Sequence, residues 1–270
     1  MFWFGKKKEN KRPYHLGLAL GGGGARGFAH IGVLRALEEY GIKPDIIAGT
    51  SAGAIVASLY ADGYNPHHII KLFSDLEVKE LVDVTLPRNS LLKMDKFIHY
   101  LKKNLHAKRI EDLNIPVRIV ATDFDHGKSV AFSEGELATR IAASCSIPIV
   151  FPPITIDGVR YVDGGVLRNL PATPLRELCD VVIGVNVSPM KQEKYEDNLL
   201  AITNRAYNFL ACGNVFPDVA LCDILIENAL VDNFNVFDLN EQEEIEALGY
   251  QRTVEILENL TPEQKKLLHI

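Results

Sequence analysis

The chain has 270 residues, enough for one large domain with a real core or at most two small ones. An apolar content of 47% and a charged content of 24% are ordinary for a globular protein, and a net charge of −6 gives no basic field for nucleic acid. No apolar run reaches the ~18 residues of a membrane-spanning helix. Cys145, Cys179, Cys212 and Cys222 match neither a zinc site nor a disulfide framework, which predicts buried thiols in a reducing compartment.

Residues 1–13 begin with Met1-Phe2-Trp3-Phe4, followed by Lys6, Lys7, Lys8, Lys11 and Arg12. The charges follow the apolar stretch, the reverse of a signal peptide. Aromatics beside lysines suit an anionic membrane surface, but the plainer expectation is a flexible, solvated basic segment. His15 to Leu20 reads as a buried strand running into the glycine cluster at Gly21. A helix follows from Phe28 to Tyr40, with Phe28, Ile31, Leu34 and Leu37 at three-residue steps, stopped by Gly41 and Pro44. Asp45 to Ala48 is a second strand and Ala52 to Ala61 a second helix.

Residues 64–114 change texture. Charges are dense, short amphipathic helices are expected and no strand is clear, so this reads as a helical, cap-like excursion. Strand character returns at Pro116 to Thr122 and Ser129 to Phe132, followed by a helix from Glu136 to Ser144 and a rigid loop set by Pro148, Pro152 and Pro153. Ile154 to Ile156 and Val159 to Val162 flank Asp157-Gly158, a hairpin signal. Asp180 to Val187 is a central strand, Ile224 to Ile226 a late one, and Asn198 to Cys212 and Glu241 to Leu260 are helices. Strands alternating with helices predict an α/β fold with a largely parallel sheet, and no linker divides residues 14–270.

Gly22-Gly23-Gly24-Ala25-Arg26-Gly27 fits GxGxxG between a strand and a helix, the setting of a dinucleotide fingerprint. That fingerprint also needs an acid at the far end of the next strand. Asp45 stands at its start instead, and the far end carries Gly49-Thr50-Ser51-Ala52-Gly53. No lysine followed by Ser or Thr makes a phosphate-binding P-loop. The anion cradled by the glycine run is therefore read as one that forms beside Ser51. GxSxG at a strand–helix junction is a nucleophile elbow: small residues let the turn be tight, and the helix N-terminus favours negative charge on the serine oxygen.

A serine nucleophile needs a base. His67, His68, His99, His106 and His126 fall in the charged excursion or a polar turn, and His269 adjoins the chain end, so all are read as solvated. His30 lies inside the first helix and is read as a helix–sheet contact. Asp163, in Tyr161-Val162-Asp163-Gly164-Gly165-Val166, ends a short strand before two glycines. Asp-Gly-Gly is also a plain turn signal, yet a carboxylate there can take a hydroxyl proton directly.

Three stretches in order resemble the patatin-like phospholipases: Gly22 to Gly27 resembles their glycine-rich oxyanion motif, Gly49 to Gly53 their GxSxG elbow, and Asp163-Gly164-Gly165 their DGG/A motif. His30-Ile31-Gly32-Val33-Leu34 and the stretch from Ala142 to Pro153 are softer likenesses. The resemblance covers about Tyr14 to Val187; the excursion and the C-terminal third carry no transferable motif. It implies a three-layer α/β/α catalytic domain over 14–270 and a serine acyl-ester hydrolase acting on lipids, of phospholipase A or lysophospholipase type. A Ser51–Asp163 dyad and an oxyanion hole at Gly22, Gly23, Gly24, Ala25, Arg26 and Gly27 come with it, with no metal and no cofactor. Arg26 takes the family's basic position, either bracing the loop or meeting a lipid phosphate. The implied partner is a lipid ester, with no nucleic acid, in the cytoplasm or at the periphery of a membrane. The competing readings are a non-catalytic lipid sensor or scaffold on the same fold, a nucleotide-binding protein using Gly22–Gly27, and a Ser-His-Asp esterase.

Overall fold

The computed structural model describes residues 11–74, 80, 83–84, 90–189, 197–236 and 238–270. The aromatic and lysine pattern of residues 1–10 lies outside them. Strand β1 (Tyr14–Leu20) leads through a 3-10 turn (Gly24–Gly27) into helix α1 (Phe28–Glu39), and β2 (Ile46–Thr50) leads through Ser51 into α2 (Ala52–Ala61). β5 (Val117–Asp123), β6 (Lys128–Phe132), β7 (Ile154–Ile156), β8 (Val159–Asp163), β9 (Cys179–Asn186) and β10 (Ile224–Glu227) complete the main sheet. β7 falls on its expected bounds, and the boundaries of the other strands differ from the expected ones by at most two residues.

The main sheet runs β10-β9-β1-β2-β5-β8-β7, with β6 also on β5. The pairs among β10, β9, β1, β2 and β5 are parallel. The pairs β5–β6, β5–β8 and β7–β8 are antiparallel. β1 and β2 are buried on both faces, as in a sheet covered by helices on each side. Leu16, Leu18, Leu20 and Ile47 join one hydrophobic cluster, while Ala19, Ile46 and Ala48 join a second with Leu170, Leu175 and Val215. The fold is the α/β arrangement with a largely parallel sheet that the strand–helix alternation predicts, in the three-layer α/β/α form that the resemblance implies.

Residues 64–114 are mainly helical where described. Helix α3 (Pro66–Phe73) is capped by Asn65, whose side chain accepts from His68 N–H at 2.9 Å, and a second helix spans Asp95–Asn104. A two-residue antiparallel ladder, β3 (Asp83–Val84) with β4 (Leu92–Lys93), was not expected there. So short a ladder has no alternation to detect.

The C-terminal half braces the first helix. In the helix Gln242–Glu258, Gly249 packs so closely on α1 that an added Cβ would collide with the carbonyl of Ala29. A Cβ at Gly32 would likewise collide with Glu246 O. Arg35 pairs with Glu246 at 2.9 Å and stacks 3.8 Å over the Tyr250 ring beside this crossing. Two glycines that look like helix weaknesses in the sequence thus set how closely the helices approach.

Candidate active site

Register brings the site together. Leu20 pairs with Gly49, so the glycine run and the GxSxG turn leave the sheet side by side. On the other side of β2, Thr50 pairs with Val120, and Ala121 pairs with Asp163. Ser51 and Asp163 therefore reach the same end of the sheet across β5, although 112 positions separate them in the sequence.

Ser51 has φ 52° and ψ −121°, a left-handed conformation that a side chain adopts only when its surroundings enforce it. Its neighbours do so. A Cβ on Gly53 would run into the carbonyls of Leu20 and Gly21, and one on Gly49 would lie 2.5 Å from Ala54 Cα. Ser51 N–H donates to Ser144 Oγ at 2.8 Å, and Ser144 in turn donates to Val120 O at 2.6 Å. Thr50 Oγ1 donates to Arg168 O at 3.0 Å, tying the elbow to the segment after Asp163.

The glycine run is pinned at nearly every polar atom. Gly21 N–H donates to Val185 O and Gly22 N–H to Asn169 O, while Ala25 N–H donates to Val236 O at 2.8 Å and Arg26 N–H to Gly23 O. Gly22 O accepts from Ser188 Oγ at 2.8 Å and Asn169 Nδ2 at 3.3 Å. Gly21 O lies 2.7 Å from Nε2 of His30, which must carry the proton there. His30 is fully buried, and desolvation lowers its pKa to about 4, so the ring is neutral near pH 7. It therefore grips the glycine run rather than merely filling a helix–sheet contact. The N–H groups of Gly23 and Gly24 have no acceptor among the described residues. Gly24 has φ 58°, and a Cβ on it would strike Val236 O.

Arg26 is buried and donates from Nε to Phe234 O at 3.0 Å, which places it inside the loop. The histidines read as solvated stay away from Ser51: none lines either cavity beside it. His126 meets Asp123 at 2.9 Å and His106 lies 3.2 Å from Asp62. Among the described residues no group of three His, Cys, Asp or Glu side chains is placed to hold a metal ion.

Asp163 is completely buried at the end of β8. Oδ1 accepts from Gly165 N–H and from the Tyr207 hydroxyl, each at 2.8 Å. Oδ2 is buried and has no hydrogen-bond partner among the described residues. The Ser51 hydroxyl is nevertheless close enough to favour the charged carboxylate, without a bond of ordinary geometry closing between them. Burial dominates, raising the Asp163 pKa from 3.8 to about 6 against the opposing effects of Gly165, Ser51 and Tyr207. Gly164 is required because a Cβ would collide with Val120 O.

Two cavities meet at Ser51. The larger encloses about 950 Å³ including its open mouth, and Phe28, Ile31, Val56, Phe73, Phe97 and Phe151 are among its apolar walls. Phe73, Met94 and Phe97 bring the 64–114 excursion into that wall. The smaller, about 370 Å³ of empty space, is mixed: Gly22, Gly23 and Gly24 line it with Asn169, Ser188, Tyr207 and Asn208, beside the apolar Ile147, Ala211 and Val236. Asn169, Ser188, Tyr207, Val236 and Ser144 were not singled out from the sequence. Ser144 lay in the noted stretch from Ala142 to Pro153 and Tyr207 in the expected helix from Asn198 to Cys212, but a tyrosine in a helix carries no signal of its own.

Ser51 in its left-handed turn, the glycine-run helix start and the buried Asp163 thus stand together at one end of the sheet, the groups that a serine acyl-transfer site would need. The family model for patatin-like phospholipases matches residues 18–176, and the chain belongs to that family. An uncharacterised NTE-family protein of Mycobacterium bovis is 39% identical over 218 residues, which are 80% of this chain and 59% of that protein. A protein named lysophospholipase NTE1 from Kluyveromyces lactis is 32% identical over 91% of this chain, but the match covers only 19% of its own length. Among solved structures, VipD of Legionella pneumophila matches with a TM-score of 0.56 and 18% identity, over 93% of this chain and 69% of that one. This last likeness concerns the fold.

Proposed function

We propose that the protein hydrolyses lipid acyl esters, with Ser51 as nucleophile and Asp163 as its base. The observation that carries this reading is the bare, buried Oδ2 of Asp163 next to a serine held in a left-handed elbow. Ser51 Oγ attacks the ester carbonyl while its proton passes to Asp163 Oδ2. The carbonyl oxygen becomes an oxyanion, held by the N–H groups of Gly23 and Gly24 and favoured by the N-terminus of α2. Of the hole implied for Gly22 through Gly27, Gly22, Ala25 and Arg26 donate internally, which leaves Gly23 and Gly24 as the donors favoured here. Asp163 returns the proton to the leaving alcohol. A water molecule then gives its proton to Asp163 and attacks the acyl-enzyme, releasing the fatty acid and restoring Ser51.

The two cavities divide the substrate. The larger, apolar one takes the acyl chain, and the smaller one, whose mixed lining includes Asn169, Ser188 and Asn208, takes the alcohol side. Lysophospholipase action fits this division, and the name of the yeast relative points the same way. Among the described residues no helix is long and apolar enough to cross a membrane.

A fluorophosphonate probe tests the nucleophile. Folded protein is expected to take up one equivalent on Ser51, and Ser51→Ala none; no adduct on Ser51 would overturn the reading. The chain pocket is tested separately. Met94→Trp narrows it, so the ratio of kcat/KM for long-chain over short-chain esters is expected to fall about tenfold, in the range that hydrophobic pockets discriminate. An unchanged ratio would remove the acyl chain from this cavity.

A further inference from the structure

We propose that Tyr207, on the helix Leu199–Gly213, is a positioning residue for the base: its phenol locks Oδ1 of Asp163 so that Oδ2 is the oxygen presented to Ser51. The inference rests on the Ser51–Asp163 reading and deepens it. Three observations meet here. Tyr207 Oη and Gly165 N–H both donate to the same oxygen, at 2.8 Å each. The other oxygen is buried and left without a partner. Finally, a Cβ on residue 165 would collide with the Tyr207 hydroxyl and lie 2.9 Å from Asn169 Oδ1. The second glycine of Asp163-Gly164-Gly165 is therefore needed for more than its turn: it clears the space in which the phenol reaches the carboxylate.

Chemistry favours this division of labour. A carboxylate free to rotate would offer either oxygen and lose orientation with every turnover. Two donors on Oδ1 fix its plane in the charged state, and they still find a carbonyl oxygen once Oδ2 carries the serine proton. The phenol stays a donor throughout, because burial and the Asp163 charge push its own pKa well up. The titratable groups facing the pair are thiols. Cys145, at the end of Leu137–Ser144, senses both Asp163 and Ser51 and is kept protonated by burial. Cys212 lies on the same helix as Tyr207 and acts on it electrostatically.

The test is Tyr207→Phe, which keeps the ring and removes the donor. With a soluble lysophospholipid or short-chain ester, kcat is expected to fall about tenfold or more while KM stays within about twofold. The acid limb of the kcat/KM–pH profile should move up by about half to one pH unit, because a lost donor disfavours the charged carboxylate. The pH dependence of fluorophosphonate labelling at Ser51 should move in parallel, and thermal unfolding run alongside verifies that the variant is folded. If activity falls with an unmoved acid limb, or if KM carries the loss, Tyr207 is only a packing residue and the proposal fails. An unchanged kcat and profile would also refute it. Asp163→Asn run beside it separates the two levels: if that variant keeps wild-type activity, the base assignment itself is wrong, whereas an inactive Asp163→Asn with a normal Tyr207→Phe sinks only the role of Tyr207.

Discussion

Asp163→Asn is expected to lower kcat by 10²- to 10⁴-fold, the usual share of a general base, and at the same time to make the protein more stable above pH 7. Both effects have one origin. The carboxylate is completely buried without a cationic partner among the groups that shift it, and burial raises its pKa from 3.8 to about 6. Since folding raises this pKa, ionisation is opposed in the folded state. The cost is absent below about pH 4, grows as pH rises through 6, and reaches about 3 kcal/mol at about 1.4 kcal/mol per tenfold change in proton affinity. Asparagine keeps an oxygen for Gly165 N–H and the Tyr207 phenol but carries no charge. Urea unfolding should therefore show the variant ahead by about 2–3 kcal/mol at pH 8 and level with wild type near pH 4.

His30 sharpens the comparison because it titrates in the opposite sense. Its pKa is lowered from 6.5 to about 4 on folding, so its contribution is complete above pH 6.5 and is lost as pH falls toward 4. In wild type the two slopes oppose each other between pH 4 and 6. In Asp163→Asn only the histidine slope remains, and the variant should lose stability more steeply on acidification. A variant no more stable at pH 8 would contradict the buried, unpaired charge, and one with wild-type turnover would remove Asp163 from the chemistry.

Gly53→Ala is the second large effect. The added methyl group meets the backbone carbonyls of Leu20 and Gly21, at the point where the first turn of α2 rests on the end of β1. Backbone in a two-sided sheet cannot yield as a side chain can, so the expected loss is about 3 kcal/mol or more. At this chain length that lowers Tm by roughly 6–12 °C. Any protein that does fold must shift Ser51 relative to Gly23 and Gly24, and kcat should fall at least tenfold beyond the change in folded fraction. Gly213→Ala is the matched control: nothing lies within 4 Å of its Cβ position and its φ is not left-handed, so stability should be unchanged or slightly raised. Equal melting temperatures for the two variants would show that the elbow tolerates a side chain.

Much of the fold could be read from local pattern because short-range physics set it. Buried runs such as Leu16 to Leu20 and Val181 to Val185 announce two-sided strands, and the expected Ala52–Ala61 helix is found at those bounds. Ser51, Asp163 and the glycine run were legible because each sits at a strand end where a glycine must follow or precede it. What could not be read depends on distance along the chain. β5 turns antiparallel toward β8 through a pairing some forty residues away. The glycine run is clamped by Asn169, Ser188, Phe234 and Val236, which look unremarkable where they stand. Tyr207 reaches Asp163 from 44 positions downstream, and no periodicity marks that choice.

The proposed reacting groups and the walls of the apolar cavity come from different parts of the polypeptide. Ser51, Asp163, Gly23 and Gly24 stand on or beside the ends of sheet strands, and Gly24, Gly49, Gly53 and Gly164 around them leave no room before backbone for a Cβ. Phe73, Met94 and Phe97 reach the same cavity from an excursion whose described residues contribute no strand to the main sheet. The molecule is in this sense modular. Exchanges at those three positions are therefore expected to recut the cavity for a longer, shorter or bulkier chain while leaving the proposed Ser51–Asp163 pair and its glycines where they are.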